Sequence, residues 1–324
     1  MDTSPRPLGR SGHSIPPFGL GCWPLAGMTR EGITREVAVA TVLAALDAGI
    51  SHLDTAYCYG ADGESETAIG RAVQGRPRSS VFLAGKCGIH WEPGRKQCVD
   101  GRPERLRIEV EQSLRRLGVE SLDLLYLHAP DPSVPLATSM AELGRLQAEG
   151  MTRTIGISNV SLAQLRVAAD ACPLAACQLP YNMLQREIEK DIVPWCLEES
   201  VAIVAYWPLM KGLLAGGMTR DRTFPLTDSR HKYPMFQGAE FQRNLDFVDV
   251  VQAEADRLGR PLADVVLAWT ARQPGITSVL FGATSPEQVV VNAAARSCII
   301  DARAERTIAD GIAARGPIVG RRPV

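Results

Sequence analysis

Strand-like and helix-like segments alternate along most of this sequence, and that alternation limits the folds open to the chain. Eight short apolar segments are separated, in most cases, by stretches with helical periodicity. This order is typical of a parallel sheet whose strands are joined by helices. Eight such units between residues 18 and 300 favour an α/β fold of the closed (β/α)8 TIM barrel type over an open sheet. The predicted strands cover residues 18–23, 50–54, 79–86, 122–128, 152–157, 175–179, 200–206 and 278–281.

The two ends of the sequence complete the predicted domain. Residues 5–17 carry glycine and proline turn signals, which predict an N-terminal hairpin that closes the amino end of the barrel. A barrel core over about 18–300 is followed by a predicted C-terminal helix and tail over 301–324. Because no repeat or linker divides the sequence, we predict a single domain over residues 1–324.

Charge and hydropathy argue against several classes of partner. The chain has 35 basic and 36 acidic residues, dispersed along the sequence, and a net charge of −1. Such a balance is not typical of a nucleic-acid-binding or polybasic membrane surface. No apolar run is long enough for a membrane span, and no basic region followed by an apolar stretch marks a signal peptide. We therefore predict a cytoplasmic protein with no nucleic-acid or membrane partner.

Cysteine usage supports the same compartment. None of the eight cysteines belongs to a C-x-x-C pair, and they are scattered among apolar residues. We expect buried free thiols in a reducing environment, with neither a disulfide framework nor a metal site. The cysteines are residues 22, 58, 87, 98, 172, 177, 196 and 298.

Reactive side chains end three consecutive predicted strands. Asp54 ends the second strand with Tyr59 shortly after it, Lys86 ends the third, and His128 ends the fourth. The carboxyl ends of all barrel strands meet at one rim, so these four side chains should be neighbours. Each alone has an ordinary explanation as a helix cap, a packed aromatic ring, a rim lysine or a hydrogen-bonded histidine. Four such groups on one rim favour a catalytic site.

The four groups are suited to proton transfer. Lys86 and Asp54 predict a buried ion pair, and a cation near Tyr59 is expected to lower the pKa of its phenol from about 10. Such a phenol exchanges a proton near neutral pH, while His128 orients a carbonyl oxygen. Because none of these groups supplies electrons, the reductant must be a cofactor. A (β/α)8 isomerase or aldolase with Lys86 as a Schiff-base lysine is an alternative.

The sequence resembles the aldo-keto reductase family over about residues 5–300. The family's aspartate–tyrosine, lysine and histidine strands match GISHLDTAYCYG at 49–60, VFLAGK at 81–86 and SLDLLYLHAPDP at 121–132. Further matches are GISNVS at 156–161, the glutamine strand at Gln178, AYWPLMKGLL at 205–214 and FGATSPEQVVVN at 281–292. The resemblance implies a (β/α)8 oxidoreductase whose catalytic tetrad is Asp54, Tyr59, Lys86 and His128.

The resemblance also implies a cofactor site for NADPH/NADP⁺ in an extended pose, with NADH as an alternative. Ser158, Asn159 and Gln178 would hold the nicotinamide carboxamide, and Tyr206 would stack on the ring. The backbone of Leu209, Gly212 and Leu213 would line the pyrophosphate, with Lys211 as a charge partner. Gly282, Thr284, Gln288 and Asn292 would hold the adenosine end at a helix N-terminus. The implied contact set is completed by Gly21, Cys22, Trp23, Asp54, Trp207 and Pro208.

Two departures from the family pattern affect these expectations. Trp207 stands where many members have a small hydroxyl residue, so it either narrows the pocket or packs outward. No arginine or lysine lies between residues 282 and 292, where some members bind the 2′-phosphate of NADPH with a base. Other branches of the family manage with serine or threonine and glutamine, so we expect NADPH to be preferred. Because no charge-assisted contact is present, we expect NADH to be poorly excluded.

The predicted function is NADP(H)-dependent reduction of aldehyde or ketone carbonyls to alcohols, or the reverse, with Tyr59 as general acid/base. One alternative is an NAD(P)-dependent aldose dehydrogenase. Another is a non-catalytic, cofactor-sensing regulatory subunit, although the complete tetrad argues against it. The partner is a small carbonyl or alcohol whose identity the sequence does not indicate, and neither does it indicate the oligomeric state. Specificity is expected in loops after the strands, at 23–33, 87–102, 129–135 and 207–239, which contain Trp23, Trp91, Trp207, Tyr233 and Phe236.

Overall fold

The computed structural model describes residues 3–27, 32–94, 96–226 and 228–318. Residues 28–31 of one predicted loop and 319–324 of the predicted tail lie outside the described residues. The strands are β1 Arg6–Pro7, β2 Ser14–Ile15, β3 Phe18–Gly21, β4 His52–Asp54, β5 Phe82–Cys87, β6 Ile89–Glu92, β7 Lys96–Val99, β8 Leu122–Leu127, β9 Thr152–Ser158, β10 Leu174–Pro180, β11 Ala202–Tyr206 and β12 Ile276–Gly282. The helices are α1 Arg35–Asp47, α2 Glu64–Val73, α3 Pro103–Leu117, α4 Leu136–Ala148, α5 Leu162–Ala171, α6 Ile192–Glu199, α7 Gly238–Arg257, α8 Leu262–Arg272, α9 Pro286–Ala293 and α10 Ala302–Arg315.

Eight of these strands form a closed parallel barrel. Its order around the barrel is β3, β4, β5, β8, β9, β10, β11 and β12, and β12 pairs with β3 to close it. At least one helix lies between each pair of successive barrel strands, and the connection from β3 to β4 contains a short 3₁₀ turn at Trp23–Ala26 before α1. The predicted (β/α)8 fold is therefore confirmed.

The N-terminal hairpin closes the amino end of the barrel, as predicted. Strands β1 and β2 pair in antiparallel fashion, with Arg6 opposite Ile15. Leu8 and Ile15 are fully buried and pack in one cluster with the interior residues Leu124 and Val204. These side chains exclude water from the lower interior, so polar chemistry is confined to the opposite, carboxyl end.

Side-chain alternation along the strands places the predicted site above this apolar layer. Ala84 belongs to the interior cluster, and Lys86, two residues further along β5, extends from the same face. Ala176 and Gln178 have the same relation on β10. On both strands, the inward-facing residue is therefore a small apolar alanine, and the next inward-facing residue, two positions later, is polar.

The connection over residues 87–102 contains a second hairpin, so the prediction of a loop there was wrong. Strand β6 pairs with β7 in antiparallel fashion, from Ile89 opposite Val99 to Glu92 opposite Lys96. Gly94, in the turn, adopts a φ of 85°, a conformation that favours glycine. The hairpin stands at the carboxyl end of β5, over the barrel rim.

The connection over residues 207–239 folds into short turns rather than a plain loop. Its 3₁₀ turns cover Met210–Ala215, Ser229–Lys232 and Pro234–Phe236. Phe236 is buried and packs against Phe224 and Phe241, with ring centroids 5.3 and 6.3 Å away. Among the described residues, no helix combines the length and apolar character needed to cross a lipid bilayer.

Candidate active site

A buried ion pair lies at the carboxyl end of the barrel. The Lys86 ammonium donates hydrogen bonds to Asp54 Oδ1 and, at 2.8 Å, to the carbonyl oxygen of Thr55. The side chains of Lys86 and Asp54 are only 1% and 2% exposed. Gln178 Nε2 donates to the second carboxylate oxygen of Asp54 at 2.8 Å. Both oxygens of the carboxylate are therefore paired, and the predicted buried ion pair is confirmed.

Tyr59 lies beside this pair in the turn between β4 and α2. Its backbone N–H donates to the carbonyl oxygen of Ala56 at 3.0 Å, which fixes the turn. The Lys86 Nζ atom is 4.9 Å from the centroid of the Tyr59 ring. Trp23 and His128 contact the same ring edge-on, with centroid distances of 5.0 and 5.8 Å. The four predicted tetrad residues thus form one contiguous cluster.

The pKa of Tyr59 contradicts the expectation of a lowered value. Burial raises the pKa of the Tyr59 phenol well above 10, and the negative charge of Asp54 adds to the shift. The physical reason is that burial outweighs the stabilisation of the phenolate by Lys86, whose hydrogen bonds are directed at Asp54 and Thr55. Tyr59 therefore stays protonated throughout the neutral range.

His128 is held directly after β8 by backbone contacts. Its N–H donates to the carbonyl oxygen of Cys87 at 2.8 Å, and its own carbonyl oxygen accepts from Asn159 Nδ2 at 2.9 Å. Burial, with the nearby charge of Lys86, lowers the pKa of the imidazole to about 3. The ring is therefore neutral, and its Nδ1 atom lies 3.5 Å from Cys58 Sγ.

Four of the predicted nicotinamide-binding residues are linked to one another. Ser158 Oγ donates to the carbonyl oxygen of Gln178 at 2.8 Å. The Tyr206 hydroxyl donates to Asn159 Oδ1 at 2.8 Å. Gln178 connects this group to Asp54 through the hydrogen bond described above. The carboxyl ends of β9, β10 and β11 therefore meet the ion pair at one rim.

The segment after β11 has an unusual backbone. Trp207, Met210 and Lys211 adopt φ angles of 57°, 47° and 52°, and Gly212 adopts 91°. Left-handed conformations cost non-glycine residues free energy, and they cluster at functional sites where packing enforces them. The Leu209 carbonyl oxygen accepts from the N–H of Gly212 at 2.9 Å, which tightens the turn.

Trp207 packs among other side chains of this segment. Its ring contacts Tyr206 and Tyr233 edge-on, with centroids 5.6 and 5.7 Å away. The Lys211 Nζ atom lies 5.0 Å from the centroid of the Trp207 ring and donates to Ser229 Oγ at 3.3 Å. Neighbouring Pro208 and Leu213 are buried beneath the turn. The predicted pyrophosphate-binding residues thus form one packed surface.

The predicted adenosine-binding residues also bond to each other. Gln288 Oε1 accepts from the backbone N–H and the hydroxyl of Thr284, at 2.8 and 3.0 Å. Asn292 Nδ2 donates to the carbonyl oxygen of Gly282 at 3.3 Å. Ser285 caps α9 by accepting from the Gln288 N–H at 3.4 Å. The hydrogen bonds between Thr284 and Gln288 are exposed to solvent, whereas Asn292 is buried.

The end of β3 connects the two halves of the rim. Gly21 pairs in register with Asp54 on one side and Gly282 on the other. The Cys22 N–H donates to the carbonyl oxygen of Asp54 at 2.8 Å, and Trp23 follows it toward Tyr59. The ends of β3, β4 and β12 therefore meet at this part of the rim.

Sequence reasoning missed two contacts of the cluster. It did not identify Cys58 as the neighbour of the His128 ring. It also did not show that the Trp91 indole N–H donates to the carbonyl oxygen of Cys58 at 3.0 Å. The position of Cys58 directly before Tyr59 was a signal for the first contact. The second depends on the hairpin of β6 and β7.

The fold and this cluster define a class of protein: a (β/α)8 barrel with aspartate, tyrosine, lysine and histidine gathered at its carboxyl rim. The sequence model of the Aldo/keto reductase family matches residues 17–308. The chain therefore belongs to the aldo/keto reductase family, whose members are NAD(P)H-dependent oxidoreductases.

Known relatives cover nearly the whole chain. The NADH-specific methylglyoxal reductase of Escherichia coli (strain K12) is 32% identical over 303 residues, which are 89% of this chain and 92% of that protein. The solved glycerol dehydrogenase AKR11B4 from Gluconobacter oxydans is 35% identical with a TM-score of 0.89, covering 97% of this chain and 96% of that one. An aldo/keto reductase from Klebsiella pneumoniae, solved with NADP and acetate, is 28% identical with a TM-score of 0.73, covering 98% of both chains.

Proposed function

We propose that this protein is an NADP(H)-dependent oxidoreductase that reduces aldehyde or ketone carbonyls to alcohols, or catalyses the reverse reaction. The observation that carries the proposal is the contact of the protonated Tyr59 phenol with the buried Lys86–Asp54 pair and the neutral His128 ring. This arrangement offers a proton donor and a hydrogen-bond donor at one point of the rim.

The residues at the rim fit a nicotinamide cofactor, which supplies a hydride when bound. The hydroxyl of Ser158 and the amides of Asn159 and Gln178 offer the donors and acceptors that a carboxamide requires. Gly21 and Gly282 pair with each other where β3 and β12 end, so neither position places a side chain on this part of the rim. The NADP-containing relative supports NADPH, and the NADH-specific relative supports NADH as an alternative.

In the reductive direction, Tyr59 supplies the proton. Its pKa lies well above 10, so the phenol carries the proton at neutral pH and can give it to the carbonyl oxygen as negative charge develops there. The Lys86 ammonium then stabilises the phenolate that remains, and Asp54 keeps Lys86 in position. In the oxidative direction the same oxygen accepts a proton.

His128 orients the carbonyl oxygen. Burial raises the pKa of the Cys58 thiol to about 12, so the thiol keeps its proton beside Nδ1 of the ring. A neutral imidazole has only one N–H, and a thiol that donates to Nδ1 leaves that N–H on Nε2. The Nε2 atom can then donate a hydrogen bond to the substrate oxygen in the transition state.

Aromatic side chains form part of the proposed substrate-binding wall. Trp23 contacts Tyr59, while Ile89 and Trp91 pack against the same small cluster from the β6–β7 hairpin. Phe236, in contrast, is buried in the packing of its own segment. We infer that the wall is built by the loop after β3 and by the hairpin after β5.

Specific observations favour one of the alternative functions and argue against two others. The similarity to a glycerol dehydrogenase supports alcohol or polyol oxidation as a second candidate function, and an aldose dehydrogenase shares the same residues. A Schiff-base role for Lys86 fits poorly, because its Nζ atom is held by Asp54 and the Thr55 carbonyl oxygen and its side chain is 1% exposed. The contiguous tetrad argues against a regulatory subunit without catalysis.

The proposal also covers the cellular compartment and the domain organisation of the chain. All eight cysteines are free thiols, and seven of them are buried, as the sequence predicted. Free thiols support a reducing compartment, and we propose the cytoplasm. We further propose that the chain is a single domain built on the barrel, with α10 as its C-terminal helix.

A substrate screen tests the proposal. The purified protein is assayed for NADPH and NADH consumption with small aldehydes, ketones and dicarbonyls, and for reduction of NADP⁺ and NAD⁺ with glycerol, other alcohols and aldoses. We expect turnover with NADPH and a small carbonyl. Turnover confined to aldoses would favour the dehydrogenase alternative, and no turnover in either direction with either cofactor would contradict the proposal.

A further inference from the structure

The hairpin of β6 and β7 gathers three side chains that ligate metal ions. His90 and Cys98 are direct cross-strand partners, and Glu92 follows His90 by two residues on the same face. Their potential ligand atoms all lie within 4.8 Å of one another. Two ligands of one zinc ion are at most about 4.6 Å apart, because each lies about 2.0–2.3 Å from the metal. The three side chains are therefore close to the separation that one ion requires.

The opposite face of this hairpin belongs to the active-site wall. Trp91 alternates with His90 and Glu92, and its indole N–H donates to the carbonyl oxygen of Cys58, next to Tyr59. The two faces therefore have separate roles. The face that carries His90, Glu92 and Cys98 takes no part in the proton-transfer cluster. That cluster therefore does not explain why these three residues lie together.

His90 has a carboxylate behind it, as histidine ligands of metals usually do. Its Nδ1 atom is 3.5 Å from Glu109 Oε1, is buried, and has no hydrogen-bond partner within the described part of the chain. Glu109 is fixed on α3 by accepting from the Gly88 N–H at 2.7 Å and from Arg105 Nε at 2.8 Å. A proton on Nδ1, directed at this carboxylate, leaves the lone pair of Nε2 available to a cation.

Cys98 differs from every other cysteine of the sequence in its exposure. The other seven are buried, whereas Cys98 is partly exposed, as His90 is, and Glu92 is exposed. A cation in solution can therefore reach Cys98 without unfolding the protein. A thiolate, an imidazole and a carboxylate together select a borderline-soft transition-metal ion over Mg²⁺ or Ca²⁺.

We propose that His90, Glu92 and Cys98 form a binding site for a divalent transition-metal ion such as Zn²⁺ on the outer face of the β6–β7 hairpin. Water completes a four-coordinate shell. Binding forms a metal–sulfur bond at Cys98, and the thiol proton leaves to solvent. The ion joins the two strands of the hairpin. The sequence predicted no metal site, because it contains no C-x-x-C pair and the strand pairing that unites these residues was not foreseen.

Cobalt titration tests the site without any use of catalysis, so its outcome is independent of the proposed function. The full-length protein, kept reduced with a non-thiol reductant, is titrated with Co²⁺ while its absorption spectrum is recorded. We expect a thiolate-to-cobalt charge-transfer band and tetrahedral ligand-field bands that saturate at one equivalent. Added Zn²⁺ should remove both signals by competition.

Variants of the hairpin identify the ligands. Cys98→Ala should lose the charge-transfer band, while His90→Asn and Glu92→Gln should weaken binding; circular dichroism verifies that each variant is folded. The matched controls are Gln97→Ala, on the opposite face of β7, and His13→Asn, an exposed histidine of the N-terminal hairpin. Both should keep the wild-type spectrum. Glu109→Gln should weaken binding by about 10–100-fold through the loss of the outer contact.

Two results would overturn the proposal. One is the absence of a charge-transfer band in the folded wild-type protein at saturating Co²⁺. The other is a band of unchanged intensity in folded Cys98→Ala, because this would place the thiolate ligand elsewhere.

Discussion

The two ends of the proposed cofactor site are held together by different forces. At the catalytic end, Lys86 and Asp54 form a buried ion pair, and Gln178 donates to the remaining carboxylate oxygen. At the adenosine end, Thr284 donates two neutral hydrogen bonds to Gln288 Oε1 in contact with solvent. The proposed proton-transfer residues are therefore held inside the barrel, whereas the proposed adenosine-binding residues are held by contacts that water can replace.

The difference in environment predicts a difference in sensitivity to mutation. Removing one partner of a buried ion pair leaves an uncompensated charge, which costs several kcal/mol. A neutral hydrogen bond at the surface contributes only about 0.5–1.5 kcal/mol, because water substitutes for the lost partner. Substitutions at the catalytic end should therefore cost more free energy than substitutions at the adenosine end.

The largest effect is expected at the ion pair. Lys86→Met leaves the Asp54 carboxylate buried without its cation, and we expect a loss of about 3–5 kcal/mol in the free energy of unfolding, together with undetectable turnover. Denaturant titration measures the stability.

The control for this variant is Lys190→Met, at an exposed lysine, which should change the stability by less than about 0.5 kcal/mol. If the two lysine variants were equally stable, the catalytic end would not be held by the buried pair, and the contrast between the two ends would disappear.

A smaller effect is expected at the adenosine end. Gln288→Ala removes the acceptor that orders Thr284, and we expect roughly 2–10-fold weaker NADPH binding with kcat nearly unchanged. Fluorescence titration of NADPH measures the dissociation constant. Val290→Ala, an exposed change on the same helix, should leave it at the wild-type value. A dissociation constant raised several hundredfold in Gln288→Ala would contradict the expectation that contacts at the adenosine end contribute little to binding.

The smallest effect on kcat is expected when the pH of the assay is changed. As a general acid, Tyr59 must be protonated, so kcat for reduction should fall only as pH rises through its pKa, which lies well above 10. His128 has a pKa of about 3 and stays neutral above it. We therefore predict a flat profile from mildly acidic to mildly alkaline pH. A falling limb near neutral pH would instead support the lowered pKa that the sequence had suggested.

Much of the fold could be predicted because its signals are local and repeated. The alternation of apolar strands with amphipathic helices indicated the barrel, and the positions of Asp54, Lys86 and His128 at strand ends indicated the rim. The hairpin after β5 was missed, although Ile89 and Trp91 alternate with polar residues just before Pro93-Gly94, which is a recognised turn signal.

The direction of the Tyr59 pKa shift could not be predicted from residue types alone. The sequence places a lysine near a tyrosine, but it does not show where the ammonium directs its hydrogen bonds. In the fold, Asp54 and Thr55 accept those hydrogen bonds, and burial is the largest cause of the raised pKa of the Tyr59 phenol. The contact of Cys58 with His128 depends in the same way on geometry between separate loops.

The proposed function requires that Tyr59 transfers the proton while the rest of the rim binds the cofactor. Tyr59→Phe removes only the phenolic oxygen and keeps the ring that packs against Trp23 and His128. NADPH affinity and carbonyl-reduction kcat are measured for this variant beside the wild type. We expect an unchanged dissociation constant for NADPH and a kcat lower by about 10²–10⁴-fold. A kcat close to that of the wild type would contradict it.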